Sequence, residues 1–151
     1  MGMKSEGVVA PTRVETIFND LMGFLFRRGW APSYGHELEV RGRKTGKLHH
    51  TPVNLLEVDG TLYLVAPRGE TQWVKNARAS GEVVLTRRNS RTTYRVTEVP
   101  VARRPTLLAA YLDRYASQVQ RFFDVKAGSS VEAFASIADH HPVFVLEKKL
   151  G

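Results

Sequence analysis

The residues best suited to chemistry lie in a cationic turn with two glycines, residues 42–47 (GRKTGK). The glycines let the backbone reach positive φ and approach a ligand closely. Arg43, Lys44 and Lys47 supply positive charge, and the amides of such a turn can form an anion-binding concavity. The pattern therefore indicates either a site for a phosphate or carboxylate, or a basic turn exposed to solvent.

Other catalytic arrangements find little support in the sequence. A phosphate-binding P-loop needs Ser or Thr after its Gly-Lys pair and then a helix, but Leu48 follows here and a strand is predicted next. The chain has no cysteine, which excludes thiolate metal sites and cysteine nucleophiles. The His-His pairs at 49–50 and 140–141 are poor metal ligands, because adjacent residues of an extended segment point to opposite faces. We predict no metal site, and we assign no catalytic residue.

The turn must be positioned by a set of strands and helices. Alternating apolar and polar residues and an Asp59-Gly60 hairpin signal predict strands joined largely by hairpins. Closing such a sheet removes its exposed edges, so we predict an α+β, mainly β fold: a small six-stranded antiparallel β-barrel flanked by helices, in a single domain over residues 1–151 with 1–11 flexible. The predicted strands are 37–41, 51–58, 61–66, 82–87, 91–99 (turning at Asn89-Ser90) and 142–147, and the predicted helices are 13–28, 71–79, 105–123 and 129–138.

The charge of the chain points to an anionic small molecule. The formal net charge is +7 over 151 residues, and the cations cluster in short loops rather than in a basic tail. Few aromatic residues lie between them, so nucleic-acid binding is not predicted. No apolar run is long enough for a signal peptide or a transmembrane segment. We therefore expect a cytoplasmic protein with a small-molecule substrate, while peripheral contact with a membrane and the oligomeric state stay open.

A series of motifs resembles the deazaflavin-dependent nitroreductase family, the coenzyme F-420-dependent reductases with a split β-barrel fold. The resemblance begins at the GRKTG turn and the following Thr-Pro-Val strand at 51–53. It continues through the Asp-Gly hairpin, the Ala-Pro-Arg-Gly turn at 66–69, and the segment from Trp73 to Asn76. The terminal segment 141–147 (HPVFVLE) is similar to the family's closing strand. Each motif is short, but their order along the chain matches the family.

The resemblance implies an oxidoreductase that transfers hydride from reduced coenzyme F-420, an 8-hydroxy-5-deazaflavin, to an electron-poor acceptor such as a quinone, an enone or a nitro compound. This coenzyme carries a phosphodiester and an oligoglutamate tail, for which Arg43 and Lys44 match the family's binding positions. The implied coenzyme-binding residues are Arg43, Lys44, Thr45, Gly46, His49, Thr51, Pro52, Val53, Asn54, Ala66, Pro67, Arg68, Gly69, Trp73 and Asn76.

Departures from the family pattern keep two alternatives open. Pro67 replaces a residue that brings a hydroxyl and an amide donor, and Val74 follows Trp73 where relatives have an aromatic residue. The first alternative is a non-catalytic split-barrel module that binds a fatty acid or another apolar ligand, roofed by Phe122, Phe123 and Phe134. The second is an enzyme that uses flavin mononucleotide (FMN). Tyr111 and Tyr115 have helical spacing, and we predict that they belong to the core.

Overall fold

The structure, a computed structural model, describes residues 35–150, so the predicted helix 13–28 and the predicted flexible segment 1–11 lie outside the described residues. Three short 3-10 turns separate some of the elements (Val101–Arg103, Gln120–Phe122 and Ala138–His140). The strands are β1 (Gly35–Arg41), β2 (Leu48–Val58), β3 (Thr61–Val65), β4 (Glu82–Arg87), β5 (Ser90–Glu98) and β6 (Val143–Lys148), and the helices are α1 (Gln72–Ser80), α2 (Arg104–Val119) and α3 (Val131–Ala135).

The six strands form a closed barrel in the order β1-β2-β3-β6-β5-β4. Strand β1 pairs antiparallel with both β2 and β4, and β4 pairs antiparallel with β5. Closing a sheet into a barrel removes the exposed edges at which another chain could pair. The predicted six-stranded antiparallel barrel flanked by helices is therefore confirmed.

The two hairpins differ in how well the sequence located their turns. Asp59 and Gly60 have φ values of 51° and 81°, as a two-residue type I′ turn requires. The second hairpin turns at Arg88 and Asn89, one residue before the predicted position, because Arg87 pairs with Ser90. Arg88 accordingly takes a positive φ of 55°.

Several predicted bounds shift for local reasons. Strand β2 begins at Leu48 rather than at residue 51, since its first residues still pair with the end of β1. The helix predicted over 105–123 ends at Val119 and contains a non-helical residue, Tyr115, with φ −119° and ψ 17°. The helix predicted over 129–138 shortens to Val131–Ala135, where the Ser130 hydroxyl accepts a hydrogen bond from the Ala133 amide as the N-cap.

The described residues divide into two compact units. The α2 unit consists of Leu56–Thr71 and Glu98–Val145, and the α1 unit consists of 35–55, Gln72–Thr97 and 146–150. Tyr111 and Tyr115 are only 1% and 4% exposed, which confirms that they belong to the core. The buried apolar side chains include Leu64, Leu108, Tyr111, Phe134 and Phe144 in the α2 unit and Leu38, Val40, Val74, Ala77 and Leu85 in the α1 unit.

Candidate functional site

The cationic turn 42–47 in the α1 unit is closed by its own backbone. The Gly46 amide donates to the Gly42 carbonyl at 3.0 Å, and the Gly42 amide donates to the Lys47 carbonyl at 2.7 Å. Gly46 has a φ of +76°, a conformation that side chains disfavour. Among residues 35–150, neither the Lys44 nor the Thr45 amide donates a hydrogen bond. The turn therefore presents two backbone amide groups that donate no hydrogen bond within the described residues.

Helix α1 fixes the side chain of Arg43 beside this turn. The Asn76 Oδ1 atom accepts hydrogen bonds from the Arg43 amide at 3.1 Å and from its Nη1 at 2.8 Å. The Gln72 Oε1 atom accepts from the same Nη1 at 3.1 Å. Residues four apart on a helix lie on one face, so α1 supplies both amide side chains together. Asn76 is 4% exposed and is held within the fold.

No acidic residue opposes the charge of this turn from the neighbouring sequence. Residues 40–56 and helix α1 contain none. Within the described part of the chain, the Lys44 and Lys47 ammonium groups form no ion pair. The nearest acidic residue before the turn, Glu39, is engaged by Arg91 at 2.7 Å and by His50 at 3.2 Å. The turn is thus a concentration of positive charge that an anion can approach.

His49 also lies against the turn. A Cβ atom added at Gly42 would come within 2.8 Å of the His49 Nε2 atom and 3.2 Å of the Lys47 carbonyl oxygen. Glycine at position 42 therefore makes room for the imidazole ring. The ring is exposed, which leaves its nitrogen atoms accessible to a ligand.

The predicted site residues on β2 do not share one face. Thr51, Pro52 and Val53 are half-buried and pair with Leu38, Glu37 and His36 of β1 in an uninterrupted register. Side chains alternate along a strand, so position 52 points to the opposite face from positions 51 and 53. Asn54 is buried at the end of this register, and Trp73 on α1 is half-buried.

The remaining predicted site residues form the turn 66–69 in the α2 unit. The Ala66 amide donates to the Pro142 carbonyl at 2.9 Å, and the Gly69 amide donates to the Ala66 carbonyl at 3.2 Å. The Gly69 amide is therefore used inside the turn. Pro67 is half-buried. The Arg68 guanidinium carbon lies 5.1 Å from the centre of the Phe122 ring, within the range of a cation–π contact.

A buried histidine adjoins this second turn. The Nδ1 atom of His141 lies 3.3 Å from the Ala66 carbonyl oxygen, and its ring stacks on Phe123 with centroids 4.2 Å apart and planes at 17°. Burial lowers the pKa of His141 from 6.5 to about 4. From the sequence, His141 was considered only as a metal ligand and as the first residue of segment 141–147, and its contact with Ala66 was missed. Likewise Gln72 was missed, although its i, i+4 spacing to Asn76 was visible.

Two further features of the described residues, 35–150, bear on other kinds of site. No group of three or more His, Asp or Glu side chains there is arranged to hold a metal ion. In the same part of the chain, every helix is too short or too polar to cross a bilayer.

Residues 34–131 match the profile of the F420H(2)-dependent quinone reductase family. The chain belongs to this family. Membership makes it an oxidoreductase that transfers hydride from reduced coenzyme F-420 to an electron-poor small molecule. The resemblance to the coenzyme F-420-dependent reductases is therefore confirmed. The alternative, a non-catalytic split-barrel module that binds an apolar ligand, is not favoured.

Solved structures share the fold of this F420H(2)-dependent quinone reductase family member. An F420-H2 dependent reductase, FDR-A, aligns with a TM-score of 0.51 at 19% identity, over 76% of this chain and 95% of its own. A protein solved as a domain-swapped dimer aligns with a TM-score of 0.55 at 17% identity, over 89% and 94% of the two chains. General Stress Protein 26 from Bacillus anthracis gives 0.51 at 10% identity, over 78% and 81%. None of the curated proteins compared with the chain matches it.

Proposed function

We propose that the turn 42–47 and helix α1 bind the phosphodiester and oligoglutamate tail of reduced coenzyme F-420, and that the enzyme reduces a quinone. The observation that carries this proposal is the anchoring of Arg43 by two neutral amide side chains, from Asn76 and Gln72. Neutral acceptors orient a guanidinium without cancelling its charge. The full positive charge of Arg43 is therefore available to an anionic ligand.

The donors of this turn fit the chemistry of the tail. Phosphate and carboxylate oxygens accept hydrogen bonds, and a guanidinium can pair with two of them at once. Only Nη1 of the Arg43 guanidinium is engaged among residues 35–150, so Nε and Nη2 stay available for such a pair. The Lys44 and Lys47 ammonium groups and the Lys44 and Thr45 amides complete the donor set.

The turn 66–69 is proposed as a second contact with the coenzyme, together with the β2 residues and Trp73 named from the family resemblance. When bound, the reduced deazaflavin supplies the hydride, while the protein binds it, orients it and keeps water away. A quinone is the proposed acceptor because the matching family is one of quinone reductases. A chain without cysteine is compatible with the reducing cytoplasm, where we propose that the enzyme acts.

Titration with coenzyme F-420, followed by quenching of tryptophan fluorescence, tests the binding site. We expect saturable binding to the wild-type protein and affinity at least about tenfold lower for Arg43→Glu, since hydrogen bonds to charged groups are strong. Lys126→Glu makes the same change of charge in an exposed loop and serves as the control. Equal affinity of Arg43→Glu and wild type, or an equal loss in Lys126→Glu, would contradict the proposed site.

Anaerobic turnover of reduced coenzyme F-420 tests the acceptor. Its oxidation is followed by absorbance in the presence of a soluble naphthoquinone, a cyclic enone or a nitroaromatic compound. We expect the quinone to give the highest kcat/KM. Faster reduction of the enone or the nitro compound would reject the quinone assignment, while the binding titration would still stand.

A further inference from the structure

The Ala66 peptide carbonyl accepts hydrogen bonds from two directions. Within the turn it receives the Gly69 amide at 3.2 Å, and from outside it receives the His141 ring nitrogen at 3.3 Å. The Ala66 amide is also engaged, by the Pro142 carbonyl at 2.9 Å. Thus the segment after β3 that begins the 66–69 turn is held by His141 and Pro142, which lie far from it in sequence and directly before β6.

The geometry fixes the tautomer of His141. A carbonyl oxygen can only accept, so the Nδ1 atom of His141 carries the proton and donates it to Ala66. The ring is 5% exposed and stacks on Phe123, which limits its rotation about χ2. Phe123 in turn lies 6.4 Å from Tyr111 between ring centroids, inside the core of the α2 unit. The donor is therefore held in one direction by packing.

Proton transfer is a poor assignment for this histidine. The pKa of His141 is lowered to about 4, chiefly by burial and to a smaller extent by the nearby His140, while the Ala66 and Pro67 carbonyls and the Asp124 carboxylate oppose the shift. At pH 7 about one molecule in a thousand carries the second proton. A group so rarely charged suits a fixed hydrogen-bond donor better than an acid.

We propose that His141 is a positioning residue for coenzyme binding: its Nδ1–H group, held by the Phe123 stack, fixes the Ala66 carbonyl and with it the conformation of the 66–69 turn. This role rests on the proposed function, which gives the turn a contact with the coenzyme. His141 acts through the main chain of the turn, and the packed ring makes that main chain rigid before any ligand arrives.

Three substitutions of His141 distinguish the effect of its hydrogen-bond donor from the effect of its ring packing on Phe123. His141→Asn keeps an N–H group near the position of Nδ1, whereas His141→Gln moves it to about the position of Nε2. His141→Phe keeps a ring for stacking on Phe123 and removes the donor. Each variant is compared with wild type by coenzyme F-420 titration and by the exchange rate of the Gly69 amide proton in NMR spectra.

We expect His141→Asn to bind the coenzyme within about twofold of wild type, and His141→Phe and His141→Gln to bind about threefold to tenfold more weakly, as loss of one hydrogen bond implies. The Gly69 amide should exchange faster in the same two variants, because the carbonyl that it donates to is no longer fixed. If His141→Phe does not fold, the Asn and Gln pair makes the same comparison.

Equal affinities for the Asn and Gln variants would overturn the proposal, since the position of the donor would not matter. Wild-type affinity in His141→Phe would overturn it as well and would leave the proposed function intact. A wild-type protein that shows no saturable coenzyme binding would instead overturn the proposed function, and the role of His141 toward the coenzyme would fall with it.

Discussion

The turns 42–46 and 66–69 use the same local device in opposite surroundings. Each ends in a glycine of positive φ, +76° at Gly46 and +85° at Gly69, whose amide donates back to a carbonyl at the start of the turn. Around the first turn the side chains of residues 43–45 are exposed, and three of residues 42–47 are cationic. In the second, Ala66 is 1% exposed and a buried imidazole fixes its carbonyl.

The difference shows that the geometry of a turn does not decide what the turn does. At the first turn, the proposed binding of the coenzyme tail rests on charge without opposing acids, so added salt should weaken that binding. At the second turn, a neutral donor controls the backbone, so protonation is the sensitive variable. The following predictions test this contrast, beginning with the largest expected effect.

Acid should destabilise the protein through His141. Its pKa is about 4 in the folded protein and near 6.5 in the unfolded chain, so the unfolded state binds more protons between these values. Stability is therefore lost as the pH falls from about 6.5 to about 4, by about 3 kcal/mol in total. Urea denaturation across this pH range measures the loss.

His141→Asn is the control for this effect because asparagine does not titrate. Its free energy of unfolding should decline less between pH 6.5 and 4 than that of wild type, by about the amount assigned to the histidine. A decline of the same size in both proteins would show that other groups cause the acid sensitivity. That result would contradict the claim that protonation is the sensitive variable at the second turn.

Substitution of Asn76 should disturb the first turn. Asn76→Ala removes the acceptor of both the Arg43 amide and its guanidinium, which should lower stability by about 1–2 kcal/mol and coenzyme affinity about threefold to tenfold. Asn76→Asp keeps acceptor oxygens at the same place but adds a negative charge. It should retain stability in urea denaturation and still lose affinity; retained affinity would argue against an anionic ligand.

The salt dependence of coenzyme binding should distinguish substitutions in the first turn from the substitution of His141 at the second. Raising NaCl from about 0.05 to about 0.5 M should weaken coenzyme binding by wild type severalfold, and the dependence should flatten in the double variant Lys44→Gln, Lys47→Gln. His141→Phe, which leaves every charge of the first turn in place, should keep the wild-type slope. A flat salt dependence in wild type would contradict the charge-controlled site. Titrations at a series of salt concentrations give the slopes.

The smallest effect is expected at Gly42. A Cβ atom there would meet the His49 ring at 2.8 Å, but this exposed ring can swing away. Gly42→Ala should therefore cost about 1 kcal/mol or less in stability, and most of the cost should disappear when His49 is also replaced by alanine. Thermal unfolding of the two single variants and the double variant measures this coupling. Additive effects would mean that His49 does not pack on the turn.

Local patterns account for what the sequence predicted well. The Asp59-Gly60 turn and strand β4 were placed correctly, since turn chemistry and side-chain alternation are encoded within a few residues. The cationic turn was identified for the same reason. The bounds of α2 and α3 were missed, because tertiary packing ends a helix before its periodic pattern does.

The contacts that hold the two turns were not predictable in this way. Arg43 and Asn76 lie 33 residues apart, and Ala66 and His141 lie 75 residues apart. Nothing in the neighbouring sequence signals either pair, because each depends on how distant strands and helices meet. The roles of all the site residues named from the family resemblance stay predictions.

The neutral support of Arg43 has an entropic consequence. A long cationic side chain in water samples many rotamers, and ordering it when a ligand arrives costs about 0.5–1.5 kcal/mol. Two amide oxygens from one helix face already restrict this side chain in the free protein. Much of the conformational freedom that binding normally removes is therefore lost during folding, and the incoming anion meets a guanidinium that is already aligned.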